Sequence, residues 1–479
     1  MKKKIVLRIF SALLCASLIF AISGCGKKTT TSEIVVWEDE DSSNSGASAS
    51  ETQSGSTTVK KNPSKKNNNT KISMMDVGTK GANGKDYSNY NPYSGIEKFK
   101  GTTVKFATWI DHSQDDMATG IENFEKKYGI KIETVYCTQN NYIQEVMALI
   151  QAGKAPDIVV ENGFFPGTVQ IAQPIENSGI DTNEPFWDQD VIKALSVNGK
   201  NYFVNSVNSY VQPFGICVFN KDLLQSNGIK TPAEYYKEGK WTFENMKKIM
   251  QQVSALGADY GGGVVATGGQ ILGAAGATCA TYDGAKFTNT LTSTSMVDAL
   301  KFVRQLDQEK LNVDQKKFIE GKAGLLLTDT YSLKQSGYLR AMDGDLLGYT
   351  YLPVAKQGAK EYVSNFFLRG YGIAKSATNA KAAGYFLRYI LDSDNIDLLG
   401  DAFWNIEAAQ FFYDAVKHNK GLTKCNDYGY GIAEYSGTWW AYWTQGSDDP
   451  NQVSVVLQSH YDEAQKCIDK ANKLLAGIR

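Results

Sequence analysis

After Thr102, segments with the hydrophobic spacing typical of strands alternate with segments that have the spacing typical of helices. A strand over TVKFATWI precedes a helix in which Ile121, Phe124 and Tyr128 recur at spacings of three and four. Gly129 is placed to end that helix. A second strand (GIKIETVY), a second helix (YIQEVMALIQAGK) and a third strand (PDIVV) come next. This order predicts a parallel sheet with helices on its faces.

Ligands of open parallel sheets bind beyond the carboxyl ends of the strands. Six candidate residues follow the first and third predicted strands: Trp109, Asp111, His112, Glu161, Asn162 and Phe164. Each group combines an aromatic ring with polar or charged side chains, as the binding of a hydroxyl-rich ligand requires. The alternative that any one of them is ordinary loop surface remains equally open.

The stretch SGTWWAYW places three of the eight tryptophans of the chain within five positions, at Trp439, Trp440 and Trp443. On a helix Trp439 and Trp443 share one face, and Trp440 lies on the adjacent one. Indole rings offer large apolar faces with an N–H at the edge, which suits the C–H faces and hydroxyl rims of sugars. Clustered tryptophans are more often part of a core, so the local pattern leaves both readings open.

The N-terminus predicts an export signal. Three lysines at positions 2–4 precede an apolar run from Ile9 to Ile22, which is shorter than the roughly 20 residues that span a bilayer. The run ends in the sequence Ile-Ser-Gly-Cys at 22–25, which looks like a bacterial lipobox. We therefore expect residues 1–24 to be removed and Cys25 to carry lipid that anchors the protein to the membrane. The rival interpretation is a plain signal-peptidase site near Ala21.

Residues 25–97 are predicted to be a disordered tether, because they are rich in Ser, Thr, Asn and Lys and nearly free of apolar side chains. A disordered chain of this length would reach on the order of 45 Å. That reach suits an envelope without an outer membrane and predicts a Gram-positive host. The remaining chain, about 380 residues, suits two lobes better than one ordinary domain.

Charge and cysteine content narrow the function classes. A net charge of −1 gives no broad field that would attract nucleic acid. Five cysteines besides Cys25 fall in the part expected to fold, without a CxxC pair, and buried free thiols are expected: Cys137, Cys217, Cys279, Cys425 and Cys467. The three histidines lack metal-ligand spacing, so neither a metal nor a cofactor is expected.

Enzyme motifs are missing from the sequence. It contains no GxSxG nucleophile elbow and no GxxxxGK[ST] phosphate loop. Paired carboxylates could still make a surface glycosidase, which is the weaker alternative.

The order of several motifs resembles the extracellular solute-binding proteins of family 1, the receptors of carbohydrate ABC importers, to which maltose-binding proteins belong. The resemblance covers nearly everything after residue 98. It is carried by these segments: NFEKKYGIKIETVY, VMALIQAGKAPDIVV, FGICVFNKDLL, WTFENMKKIMQQV, FIEGKAGLLLTDTYSLKQ, GYTYLPVAKQG and FFLRGYGIAKSATNAKAAGYFLRYIL.

The resemblance implies two α/β lobes, each a mostly parallel sheet flanked by helices, with a hinge between them. Lobe 1 would comprise 98–206 with 366–400, and lobe 2 would comprise 207–365 with 401–479. The ligand would lie between the lobes. Carried over segment by segment, the family adds these contacts to those named above: Tyr210, Gln212, Asp329, Tyr331, Arg369 and Tyr371. The tryptophans of SGTWWAYW would supply an aromatic platform.

The implied function is that of a lipid-anchored monomer on the extracellular face of the cell membrane. It would capture a sugar, with an oligosaccharide favoured, and deliver it to the permease subunits of an ABC importer. The alternatives are a binding protein for a non-sugar solute and a receptor that reports its ligand to a membrane sensor.

Overall fold

A computed structural model describes residues 78–112, 117–207, 215–265, 269–333, 338–355, 362–366, 368–392, 406–417, 422–426, 428–436 and 449–478. The predicted signal, the predicted lipidation site Cys25 and most of the predicted tether lie outside these residues.

Strands and helices alternate through the described chain. The strands are β1 (Thr103–Thr108), β2 (Lys131–Tyr136), β3 (Ile158–Asn162), β4 (Ala172–Gln173), β5 (Phe203–Val204), β6 (Gly215–Asn220), β7 (Gly261–Val264), β8 (Ala280–Tyr282), β9 (Phe287–Asn289), β10 (Ala323–Asp329), β11 (Leu347–Tyr351), β12 (Tyr362–Phe366), β13 (Arg369–Ala374) and β14 (Leu422–Asn426). The helices are α1 (Ala118–Tyr128), α2 (Tyr142–Gln151), α3 (Gln189–Ala194), α4 (Lys221–Ser226), α5 (Pro232–Lys237), α6 (Phe243–Ser254), α7 (Gly269–Ala274), α8 (Thr294–Gln308), α9 (Gln315–Ile319), α10 (Ala380–Ile390), α11 (Ile406–Lys417), α12 (Gly429–Ser436) and α13 (Val453–Ala476).

The first sheet confirms the strand and helix order expected at the start of the folded region. Its strands lie in the order β2-β1-β3-β13-β4, with β5 also paired to β13. The neighbours β2, β1 and β3 are parallel, whereas β13 runs antiparallel to β3. Gly129 ends α1 in the left-handed conformation with φ 65°, and its N–H bonds to the carbonyl of Glu125. The carboxyl ends of β1, β2 and β3 therefore share one edge.

The second sheet is mixed and not mostly parallel. Its order is β11-β6-β10-β7, in which β6 is antiparallel to both neighbours and only β10 and β7 run parallel. The first sheet is mixed as well, because β13 runs antiparallel to β3, β4 and β5. The resemblance implies a mostly parallel sheet in each lobe, and the observed sheets of both lobes differ from it in this respect. We refer below to the parts built on the first and second sheets as the first and second lobes.

The chain passes between the lobes beside a small parallel pair of strands. β12 pairs with β14 over five residues each and leads almost directly into β13 of the first sheet. Ser364 of β12 donates a hydrogen bond of 2.8 Å to the carbonyl of Gly215, where β6 begins. The edge of the second sheet formed by the start of β6 and the end of β10 thus lies at this crossing.

Residues 78–97 pack on the first lobe, so the predicted tether boundary at residue 97 is wrong. The Tyr87 ring is buried, and its hydroxyl donates to Asp181 at 2.6 Å. Further along, the Tyr93 ring stacks on that of Tyr128 with centroids 5.6 Å apart. The polar composition of this segment hid a few aromatic anchors, each of which buries a large apolar area.

Cys137, Cys217 and Cys467 are buried free thiols, and Cys279 is buried as well, whereas Cys425 is partly exposed. Burial raises the pKa of Cys137 to about 11. The expectation of buried free thiols is confirmed for Cys137, Cys217 and Cys467. Within the residues that the structure describes, no helix is long and apolar enough to cross a bilayer.

Candidate functional site

Side chains that follow β1, β2 and β3 meet at the shared carboxyl edge of the first sheet. The Trp109 ring lies edge-on to Tyr142, with centroids 5.0 Å apart, and edge-on to Phe164 at 5.9 Å. Tyr142 is fully buried, and its hydroxyl donates to the carbonyl of Ala107 at 2.9 Å. These contacts fix Trp109 while leaving it partly exposed. Two of the residues predicted from sequence, Trp109 and Phe164, are therefore neighbours.

An exposed tyrosine extends this edge toward solvent. Tyr136, the last residue of β2, leaves 61% of its side-chain and backbone surface accessible. Its hydroxyl donates to Oδ1 of Asp111 at 3.0 Å, which ties the ring to the loop after β1. We call Trp109, Asp111 and Tyr136 the aromatic ledge. It presents ring faces beside a carboxylate, a pairing suited to stacking and hydrogen bonding with a polyol.

The crossing strand β13 brings Arg369 to the same edge. Arg369 lies opposite Asn162 in the antiparallel register of β13 and β3. The buried Asn205 donates from Nδ2 to the carbonyl of Arg369 at 3.1 Å, and its Oδ1 accepts the N–H of Ser206 at 3.0 Å. Asn205 therefore holds together two strands at the points where the chain leaves and re-enters the first lobe.

Glu161 is fully buried beneath the loop that follows β3. Its carboxyl accepts the Thr168 hydroxyl and the N–H of Phe165, the latter at 3.1 Å. Burial raises its pKa to about 7, although these hydrogen bonds act in the opposite direction. In this arrangement Glu161 shapes the loop that carries Phe164, and a direct contact with ligand would require that loop to open.

Two other candidates lie inside the first lobe. The His112 ring is buried and stacks nearly parallel on Phe106, with centroids 5.2 Å and planes 9° apart. Tyr371 is buried as well, and its ring meets Phe106 edge-on at 6.0 Å. The structure thus packs both rings against Phe106 inside the first lobe.

On the second lobe, Asp329 ends β10 opposite Gly215, at the edge beside the crossing. Tyr331 lies in the short 3-10 helix that follows, and the Ser332 hydroxyl bonds to the carbonyl of Asp329 at 2.7 Å. The remaining candidates lie outside the described residues: Tyr210, Gln212, Trp439, Trp440 and Trp443.

Helix α12 packs tightly against the loop after β3. A Cβ added to Gly431 would lie 2.0 Å from the carbonyl oxygen of Phe165 and 2.7 Å from that of Gly163. Only glycine allows this approach. Just ahead of the helix, Tyr428 donates to the carbonyl of Ala194 at 3.1 Å. The C-terminal region is thereby joined to the first lobe.

A cavity of about 210 Å³ lies between α2, the loop after β3 and the end of α12. Its lining combines carboxamides, aromatic rings, aliphatic side chains and one carboxylate: Gln139, Asn140, Tyr142, Ile143, Gln144, Met147, Phe164, Gln170, Glu434 and Tyr435. Of these, only Phe164 was a candidate from sequence. Applying the strand-end rule to β2 as well as to β1 and β3 would have pointed to Tyr136 and Gln139.

Among the residues that the structure describes, no three His, Cys, Asp or Glu side chains are grouped as metal ligands would be.

Solved structures share this architecture. The galacto-N-biose-/lacto-N-biose I-binding protein of an ABC transporter from Bifidobacterium longum aligns with a TM-score of 0.57 and 13% identity, over 78% of this chain and 98% of that one. The GacH receptor of Streptomyces glaucescens aligns with 0.55 and 14%, over 77% and 98%. An extracellular solute-binding protein from Staphylococcus aureus in complex with maltose aligns with 0.54 and 16%, over 78% and 98%. At these identities the likeness establishes the two-lobe fold, as predicted.

A comparison with curated protein sequences gives no match. A family model of bacterial extracellular solute-binding proteins matches residues 120–400, which is more than half of the 479-residue chain. The expected resemblance is thus confirmed at the level of the family. The chain belongs to the bacterial extracellular solute-binding proteins, which bind their solutes and are not enzymes.

Proposed function

We propose that this protein captures a carbohydrate between its lobes and delivers it to an ABC importer. The observation that carries the proposal is the aromatic ledge, where the Tyr136 hydroxyl bonds to the carboxylate of Asp111 and Trp109 follows the neighbouring strand, at the edge where open sheets bind ligands. Rings stack on the C–H faces of a sugar, and the carboxylate accepts its hydroxyls.

The family and the structural relatives support the class of ligand. Three proteins that share the fold have been solved in complex with acarbose, lacto-N-biose and maltose, and each of these compounds contains more than one ring. We therefore propose an oligosaccharide as the preferred ligand of this chain.

We expect ligand binding to change the relative populations of an open and a closed form of the two lobes. A ligand that contacts both lobes binds the closed form more tightly than the open form and shifts the equilibrium toward closure. Residues of the first-lobe edge and Asp329 at the second-lobe edge are the contacts we propose. Closure removes water, which strengthens each hydrogen bond to the ligand. The permease would then recognise the closed shape.

Attachment to the membrane is part of the proposal. The lipobox at 22–25 supports lipidation of Cys25, and the polar segment ahead of Gly78 supports a tether. Cys25→Ser should release the protein from the cell surface into the medium, whereas retention on the membrane would contradict the lipid anchor.

Ligand class is tested by calorimetry and thermal unfolding against a panel of mono- and oligosaccharides, with amino acids and divalent cations as comparison. A true ligand at 100 times its dissociation constant adds about 2.7 kcal/mol to the free energy of unfolding. A response to amino acids or cations, with none to any saccharide, would refute the sugar assignment.

The ledge itself is tested with Tyr136→Ala, and Tyr90→Ala serves as the matched control. Both tyrosines are exposed, at 61% and 37%, but Tyr90 lies in the N-terminal segment away from the strand ends. We expect Tyr136→Ala to weaken saccharide binding about tenfold or more at unchanged melting temperature, and Tyr90→Ala to leave binding intact. Equal affinities of the two variants would exclude the ledge from the site.

A further inference from the structure

The cavity between α2 and α12 has the size of a single sugar ring. Its 210 Å³ corresponds to roughly seven waters at about 30 Å³ each. Pockets that enclose drug-sized ligands are larger, about 300–1,000 Å³. A whole oligosaccharide does not fit this cavity, but one ring at the end of such a ligand does.

The lining is apolar at its base and polar around its mouth. Tyr142 and Phe164 are buried at the base, and Ile143 and Met147 are partly buried beside them. The exposed mouth residues are polar, as Gln144 illustrates. A sugar ring has the matching distribution, with C–H groups on its faces and hydroxyls at its periphery.

The polar groups of the lining are carboxamides and a single carboxylate. The carboxamides belong to Gln139, Asn140, Gln144 and Gln170, and this group carries both donors and an acceptor, as neutral hydroxyl groups require. Gln170 uses one N–H for the carbonyl of Gly167 at 3.2 Å. Glu434 is the one charged residue among the lining side chains, which include no Lys, Arg or His. It keeps solvent contact at the mouth, although burial of part of the carboxyl raises its pKa.

Phe164 connects the cavity to the aromatic ledge. Its ring lies 5.9 Å from Trp109 on one side and lines the cavity on the other. The ledge and the cavity therefore share Phe164 as a wall residue.

We propose that this cavity is a subsite that takes one uncharged, hydroxylated ring at the end of the ligand and excludes rings bearing a carboxylate. The inference rests on the proposed function and specifies its ligand. A uronate would place its negative charge near Glu434, without a cation in the lining to compensate it.

The test compares neutral sugars with the matching uronates by calorimetry on the full chain: glucose with glucuronate, galactose with galacturonate, and disaccharides ending in each. The wild type should bind at least one neutral sugar about tenfold or more tightly than its uronate. Glu434→Gln should reduce this preference. Gln144→Arg should raise uronate affinity about tenfold, because it supplies a guanidinium at the mouth. Gln308→Arg, the same change at an exposed residue at the end of α8 in the second lobe, should leave both affinities unchanged.

The outcomes separate the inference from the proposed function. Equal affinities for neutral sugars and uronates would overturn the subsite while leaving a saccharide receptor in place. The same holds if Gln144→Arg changes no affinity while Tyr136→Ala abolishes binding. Absence of binding by every saccharide in both panels would overturn the subsite and the proposed function together.

Discussion

Gly431→Ala tests whether α12 is fastened to the first lobe. Gly431 lies in the first turn of this helix, directly over the backbone of the loop after β3. The new methyl group would lie 2.0 Å from the carbonyl oxygen of Phe165, whereas carbon and oxygen atoms in ordinary contact lie more than 3 Å apart. The obstacle is backbone, so the helix has to move by about 1 Å or the loop has to deform.

Two effects of opposite sign set the magnitude. Overpacking of this kind typically costs about 1–3 kcal/mol. Alanine in place of glycine favours an isolated helix by up to about 1 kcal/mol. Since the clash is with backbone, we expect overpacking to dominate and the free energy of unfolding to fall by about 1–2 kcal/mol.

Thermal unfolding followed by circular dichroism measures the outcome. A loss of that size should lower the melting temperature of a folded region of about 400 residues by about 1–3 °C. Gly477→Ala is the matched control, because Gly477 ends α13 at φ −80° with its nearest neighbour to a new Cβ at 3.3 Å. That control should be nearly neutral. A higher melting temperature for Gly431→Ala would refute the close packing of α12, because only helix propensity would then be acting.

Three further predictions concern buried polar groups. Burial raises the pKa of the Glu161 carboxyl from 4.5 to about 7, so Glu161 ionises in the unfolded chain at lower pH than in the folded protein. The wild type should therefore lose stability as the pH rises from about 4.5 to about 7, and Glu161→Gln should lack this loss. Parallel melting-temperature profiles of the two proteins from about pH 4 to 8 would contradict the prediction. Asn205→Ala removes the hydrogen bond to the Arg369 carbonyl and should lower the free energy of unfolding by about 1–3 kcal/mol. It should also accelerate amide hydrogen exchange around the crossing. Unchanged exchange would contradict a role of Asn205 in joining the strands there. Tyr87→Phe removes the hydrogen bond to Asp181 and should lower the free energy of unfolding, measured with denaturant, by about 1.5–3 kcal/mol. An unchanged free energy would mean that this hydrogen bond of the N-terminal segment adds no stability.

Local patterns were sufficient for the first half of the first sheet. The spacing of Ile121, Phe124 and Tyr128 and the glycine at 129 specify α1 and its end without tertiary information. Local patterns could not predict the direction of the strands in the second sheet. It depends on which strand β6 pairs with, a long-range choice that hydrophobic periodicity does not encode.

Only those parts of the site that follow the carboxyl ends of predicted strands could be predicted from the sequence. That rule placed Trp109, Asp111 and Phe164 on one edge, where the structure has them. It could not predict that Glu161 and Asn162 would both be buried, because alternation assigns faces and not hydrogen-bond partners. The residues contributed by α12 come from far along the chain, so their approach to α2 has no local signal.

The packing of residues 78–97 has a mechanical consequence. Tyr87 bonds to Asp181 and Ala82 to the carbonyl of Asn183, and both partners belong to the first lobe. A pull on the chain ahead of Gly78 therefore enters the molecule through the first lobe, and these attachments lie on one side of the gap between the lobes.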